Sequence, residues 1–175
     1  MESGEAEVML RGWFSGRLPE GWFQEAPEIT LDREEIAVVG VIRPPALGED
    51  VTETERAAAL EGAVQRFREE TRERRIEIAR EAEHRFRRKV SWGVRVDGLR
   101  VMFTTLSVPV MTRLRQPERR VLDTLVAAGV ARSRSDALAW CVRLVGRNTD
   151  SWLAELREAL QQVDRVRAAG PDVAP

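Results

Sequence analysis

The sequence predicts an α+β protein: an antiparallel sheet with one long helix in the order β-β-α-β-β, followed by a helical C-terminal region. Three observations predict it. Residues 36–42 form a β-branched run, Ile-Ala-Val-Val-Gly-Val-Ile, bounded by charged residues and Pro44-Pro45. Thr52 and Glu55 stand at capping-box spacing ahead of a long stretch whose apolar residues recur at helical intervals. Asp97-Gly98 separates two apolar-rich runs, and this dipeptide supplies the two positive-φ positions of a tight hairpin.

Taken in order, residues 1–27 carry Gly12-Trp13-Phe14 and Gly21-Trp22-Phe23 amid further glycine and proline, which predicts an irregular strap. Two readings stay open for Trp13, Phe14, Trp22 and Phe23: a strap packed on its own domain, or an aromatic docking motif for a protein partner. Residues 28–106 form the α+β domain. Ile29–Leu31 is a first strand, Asp32–Glu34 a polar turn, and Ile36–Ile42 a second strand. The helix spans about residues 53–88, with no proline and with Leu60, Val64, Phe67, Ile78, Ala82 and Phe86 on its apolar stripe. Val90–Leu106 is the hairpin. In the region 107–148, Pro117 suits the first turn of a helix that Gly129 ends, and Ser133 caps a second helix running to about Arg147. Residues 149–175 are an amphipathic helix, with Leu153, Leu156, Leu160 and Val163 on one stripe, and a tail.

Composition narrows the function. The apolar runs stop far short of the roughly 20 residues a membrane span needs. The N-terminus opens with Glu2, Glu5 and Glu7 rather than a basic-then-apolar leader, so a cytoplasmic protein without membrane partners is expected. One cysteine, Cys141, excludes an internal disulfide and a multi-cysteine metal site. His84 is the single histidine, at the charged end of the long helix, and no serine or cysteine is coupled to it. Glu69, Glu70, Glu73 and Glu77 are interleaved with arginines, which reads as a salt-bridged surface. Nothing nominates a catalytic residue, a metal or a cofactor, so a non-enzyme is expected.

The net charge of -1 hides a strong asymmetry. Residues 1–50 hold four arginines against eleven acids, whereas residues 84–148 hold fourteen basic residues against Asp97, Glu118, Asp123 and Asp136. A basic segment of this kind is the electrostatic footprint of a phosphate-binding surface, or else a face paired with the acidic N-terminus.

Within that segment stand the alternating run Val108-Pro-Val-Met-Thr-Arg-Leu-Arg115, the helix from Pro117, the turn Gly129-Val-Ala-Arg-Ser133 and the helix Arg134–Arg147. This segment resembles the ribbon-helix-helix family of DNA-binding proteins (Arc and methionine-repressor-like). The resemblance implies a homodimer in which two chains pair their strands into a ribbon that enters the major groove. It assigns base contact to Met111, Arg113 and Arg115 on the outward side of the strand. It assigns phosphate contact to Arg132, Ser133, Arg134 and Ser135 at the start of the second helix. It makes Val121, Leu122, Leu125, Val126, Leu138, Cys141, Val142 and Val145 the dimer core. Family strands sit near a free N-terminus, whereas here the run follows directly from the hairpin. The residues therefore leave open whether 108–114 pairs between chains or within one.

The expected function is thus a dimeric DNA-binding regulator or nucleoid-associated protein. An RNA- or ribosome-associated factor using the arginines at 85, 87, 88, 95 and 100 is the first alternative. A non-catalytic interaction dimer docking through its Gly-Trp-Phe motifs is the second.

Overall fold

The computed structural model describes residues 3–48 and 50–169 and divides the chain into two compact units, Met1–Val108 and Pro109–Pro175. The protein is α+β, with a four-stranded mixed sheet and six helices among the described residues.

The first unit holds α1 (Ser3–Arg17), β1 (Glu28–Leu31), β2 (Glu35–Val41), α2 (Glu53–Glu70), α3 (Arg72–Phe86), β3 (Lys89–Val96) and β4 (Leu99–Met102). The strands lie in the order β1-β2-β3-β4. Both edge pairs are antiparallel, but β2 and β3 are parallel, from Glu35 opposite Lys89 to Val41 opposite Arg95. The expected all-antiparallel sheet is corrected here. A two-residue turn reverses the chain, whereas the helical crossover through α2 and α3 returns it to the end where β2 began. The turns themselves follow the sequence. The Asp32 carboxylate accepts from the amides of Glu34 and Glu35, and Asp97 and Gly98 both take positive φ.

Side-chain alternation puts Ile36, Val38 and Ile42 of the β2 segment, and Val90, Trp92, Val94 and Val96 of β3, into the core under the helices. Two further expectations are corrected. The start of the chain is helical rather than irregular: Leu10, Trp13 and Phe14 share one face of α1 and pack on the sheet. Trp13 meets Phe86 edge-on at 5.6 Å, Trp22 meets Phe67 at 5.9 Å, and Phe23 lies against Gly40. All four aromatics of the Gly-Trp-Phe motifs therefore pack on this unit's own core, Phe14 buried and Trp13, Trp22 and Phe23 half-buried.

The long helix is also broken at Thr71. Its hydroxyl donates to the Phe67 carbonyl at 2.6 Å, a back-bond that bends helices. Arg75, buried with no carboxylate partner among the described residues, reaches back to donate to the Thr71 hydroxyl at 3.0 Å and to the Arg68 carbonyl at 2.7 Å. Its guanidinium lies 4.8 Å from the centre of the Phe103 ring. Burial holds the Arg75 pKa below the usual arginine value, and Arg68 and Arg72 push the same way.

The second unit contains α4 (Gln116–Ala127), α5 (Arg134–Asn148) and α6 (Asp150–Ala169), so the amphipathic C-terminal helix belongs with the two before it. Among the described residues, no helix is long and apolar enough to cross a membrane.

Candidate nucleic-acid interface

Backbone pairing in the sheet ends early. Met102 is the last ladder residue, and the amides of Phe103 and Thr104 turn onto the Trp92 carbonyl. The Leu106 amide donates to the Glu35 carboxylate at 3.2 Å. Beyond it, among the described residues, no backbone amide from Ser107 to Leu114 has a hydrogen-bond partner, and the segment forms no strand. The expected strand is therefore not paired within its own chain. Val110 is 82 % and Met111 99 % exposed, while Leu114 is half-buried against α4 and α5. The Arg119 guanidinium ties the end of the segment to α4 by donating to the Leu114 carbonyl at 2.7 Å.

Local chemistry fixes the rest of the unit. Pro117 sits in the first turn of α4, where its missing N–H costs nothing. The helix ends in a Schellman motif: Gly129 takes φ 73°, its amide donates to the Val126 carbonyl, and the Val130 amide donates to the Leu125 carbonyl. Ser133 caps α5, accepting from the Asp136 amide at 3.2 Å. Asp136 in turn accepts from the Arg132 amide at 3.1 Å, and this bond holds its carboxyl below the usual aspartate range. The amides of Arg134 and Ser135 point out of the helix start without partners among the described residues. They stand at the positive end of the helix dipole, which is where a phosphate is held.

The expected site residues divide into two groups. Met111, Arg113 and Arg115 are exposed, and neither arginine makes an ion pair among the described residues. Ser133 and Ser135 are exposed at the helix start. Arg132 is exposed, 3.3 Å from Asp136. Arg134 is different: its guanidinium makes a two-bond pair with Asp123 of α4, at 2.6 and 2.8 Å. That pair clamps α4 to α5 and lowers the Asp123 pKa while raising that of Arg134. Arg134 can thus offer a phosphate its amide but not a free guanidinium. Its carboxylate partner eleven residues away was the signal sequence reading missed.

Of the expected dimer core, Leu122 is buried and Leu125, Val126, Leu138 and Cys141 are half-buried in a small cluster closed by Ala131 and Ala137. Val121, Val142 and Val145 are left exposed beside it, and Trp152, Leu156, Leu160, Val163 and Val166 are exposed along α6. The buried part of this cluster is Leu122, Ala131 and Ala137. Arg95 and Arg100 both turn to Glu28, and Lys89 pairs with Glu83. By contrast Arg113, Arg115, Arg120, Arg143 and Arg147 have no carboxylate partner among the described residues. In the first unit Arg33, Arg43, Arg66, Arg68, Arg80, Arg85 and Arg87 likewise have none among the described residues, so unpaired basic side chains occur in both units. No group of histidine, cysteine, aspartate and glutamate among the described residues is arranged to hold a metal.

Residues 8–102 match the family model described as Rv1265-like protein, N-terminal domain, and residues 115–167 match the Mb1296 C-terminal domain. The chain is 59 % identical over 171 residues to the uncharacterized protein Rv1265 of Mycobacterium tuberculosis. The same identity and span hold for the uncharacterized protein Mb1296 of Mycobacterium bovis. In both cases the alignment covers 98 % of this chain and 72 % of the relative. No solved structure matches it significantly. The two family models meet between residues 102 and 115, the stretch in which the sheet ends and the unpaired segment begins.

Proposed function

The chain belongs to the Rv1265-like protein family, and within that family we propose that it is a homodimeric DNA-binding protein of ribbon-helix-helix type. One observation carries the reading: an exposed segment bearing Arg113 and Arg115 leaves the sheet with its backbone unpaired and leads directly into α4 and α5. Backbone groups left so need partners. A second copy supplies them by pairing its own segment antiparallel, and the resulting ribbon has the width of the major groove. The helix lengths, 12 and 15 residues, and the exposed valines of α4 and α5 fit the same dimer. Arg113 and Arg115 then face base edges, where a guanidinium makes two parallel bonds to guanine, and Met111 meets a thymine methyl. The amides of Arg134 and Ser135 hold a phosphate, which sets the register of the ribbon on the duplex.

The test is a salt titration of binding to duplex DNA. The full chain binds with an affinity that falls steeply as salt rises, because neutralised phosphates release counterions. Arg113→Ala weakens binding to a selected sequence by about 5- to 150-fold, corresponding to about 1–3 kcal/mol for one bidentate base contact. Structured RNA competes weakly. Equal affinity of wild type and Arg113→Ala, or tighter binding to RNA than to duplex DNA, overturns the proposal.

A further inference from the structure

The first unit contains a cavity of about 430 Å3 between α1, β1 and the C-terminal turn of α3. Its apolar lining comes from Met9 and Leu10 of α1, Leu31 of β1 and Phe86 of α3. Arg85, Arg87 and Arg88 also line it, with no acid among the described lining residues. The neighbouring cavity beside Lys89 shows the ordinary arrangement: Glu34 and Glu83 line it together with Arg87 and Arg88.

The three arginines do not do the same work. Arg88 is structural, donating to the Asp32 carbonyl at 2.7 Å and the Phe86 carbonyl at 3.2 Å, and so holding the β1–β2 turn to the end of α3. Arg85 lies over the Phe86 ring at 5.6 Å and makes no hydrogen bond or ion pair among the described residues. Arg87 is also without a side-chain partner among the described residues, and its backbone is left-handed, φ 56° and ψ 35°, at the cap of α3. Glycine is the usual residue in that conformation, since a Cβ there crowds the following carbonyl. An arginine is thus held where glycine would be more comfortable. Strain of this kind concentrates at ligand sites.

We propose that this cavity binds a small amphipathic anion, a carboxylate or phosphate monoester with an apolar body, its charge held by Arg85 and Arg87 and its body against Met9, Leu10, Leu31 and Phe86. The volume and the mix of an apolar wall with a few convergent charges are those of small-molecule sites. The proposal stands apart from the DNA-binding reading, since its residues lie entirely within the first unit.

The test is isothermal titration of the full chain with decanoate and with 1-naphthyl phosphate. At least one of them binds saturably at one site per chain, and the uncharged counterparts, decanol and 1-naphthol, bind at least tenfold more weakly. Arg87→Gly separates function from structure: it weakens binding tenfold or more yet raises the melting temperature, because it relieves the left-handed backbone. Met9→Trp fills the apolar half and also abolishes binding. Absence of saturable binding by both anions, equal binding of the uncharged counterparts, or unchanged affinity in Arg87→Gly or Met9→Trp overturns the proposal.

Discussion

Replacing Val142 by aspartate tests the dimer at a position that touches neither the arginines of the ribbon nor the core of the single copy. Val142 lies on α5 one turn after Leu138, and 65 % of its surface is open in one chain. Complete withdrawal of a valine side chain from water contributes about 1.5–3 kcal/mol. The open fraction of Val142 is thus worth about 1–2 kcal/mol, and twofold symmetry, which uses the residue twice, raises this to about 2–4 kcal/mol. At 1.4 kcal/mol per tenfold, the dimer dissociation constant rises by about 30- to 700-fold. Desolvation of the new carboxylate adds to this, so the range is a lower bound. Sedimentation equilibrium over a concentration series measures it. Val8→Asp on α1, 69 % exposed, is the matched control and leaves the constant unchanged. A folded wild-type monomer across the series, or a constant that Val142→Asp does not move, refutes the reasoning.

Two further outcomes follow from the geometry. Gly40→Ala places a Cβ 2.1 Å from the Phe23 ring, so the first unit loses about 1–3 kcal/mol to overpacking. Thermal unfolding reads this as a lowered melting temperature, and Phe23→Ala in the same chain makes the two effects non-additive. Acid weakens the second unit through Asp123. Its pKa is lower in the folded chain than in the unfolded one, so its contribution is present above the unfolded value and is lost as pH falls through the folded one. Unfolding followed from pH 7 downward shows that loss below about pH 4, and Asp123→Asn removes this part of the pH dependence. A wild type and variant with parallel acid profiles would show that the clamp to Arg134 carries no linkage.

What sequence reading recovered, and what it did not, divides along the range of the interactions involved. The caps at Thr52 and Ser133, the Asp97-Gly98 turn and the ending of α4 at Gly129 are decided within five residues, and each formed as read. The parallel pairing of β2 with β3 is decided by where the crossover of residues 42–88 delivers the chain, which no local pattern carries. Helix α1 was obscured because Gly12 and Gly16 lower helix propensity on its solvent side, while burial of Leu10 and Phe14 outweighs that loss. The break at Thr71 depends on Arg75 covering the Arg68 carbonyl. Over 108–115, alternation sent Val108, Val110, Thr112 and Leu114 inward, but only Leu114 is half-buried and the other three are exposed, because the segment forms no strand in the single chain. The capture of Arg134 by Asp123 joins two helices and could not be read from spacing alone.

The unpaired segment and the exposed valines answer to one cause. A chain that ended its fold at the single-copy stage would be expected either to pair residues 107–114 on the edge of its own sheet or to carry polar residues there, as exposed edges usually do. Val108, Val110 and Met111 do neither. The cluster built on Leu122, Ala131 and Ala137 leaves Val121, Val142 and Val145 exposed beside it. A partner of different sequence would cover the valines alone, whereas in the proposed dimer a twofold copy covers them and supplies, in the same act, a strand of matched length and register. DNA recognition in this scheme is downstream of assembly, because the ribbon that carries Arg113 and Arg115 exists only once two chains have met. A loss of DNA binding caused by Val142→Asp should then be recovered by raising the protein concentration, whereas the loss caused by Arg113→Ala should not.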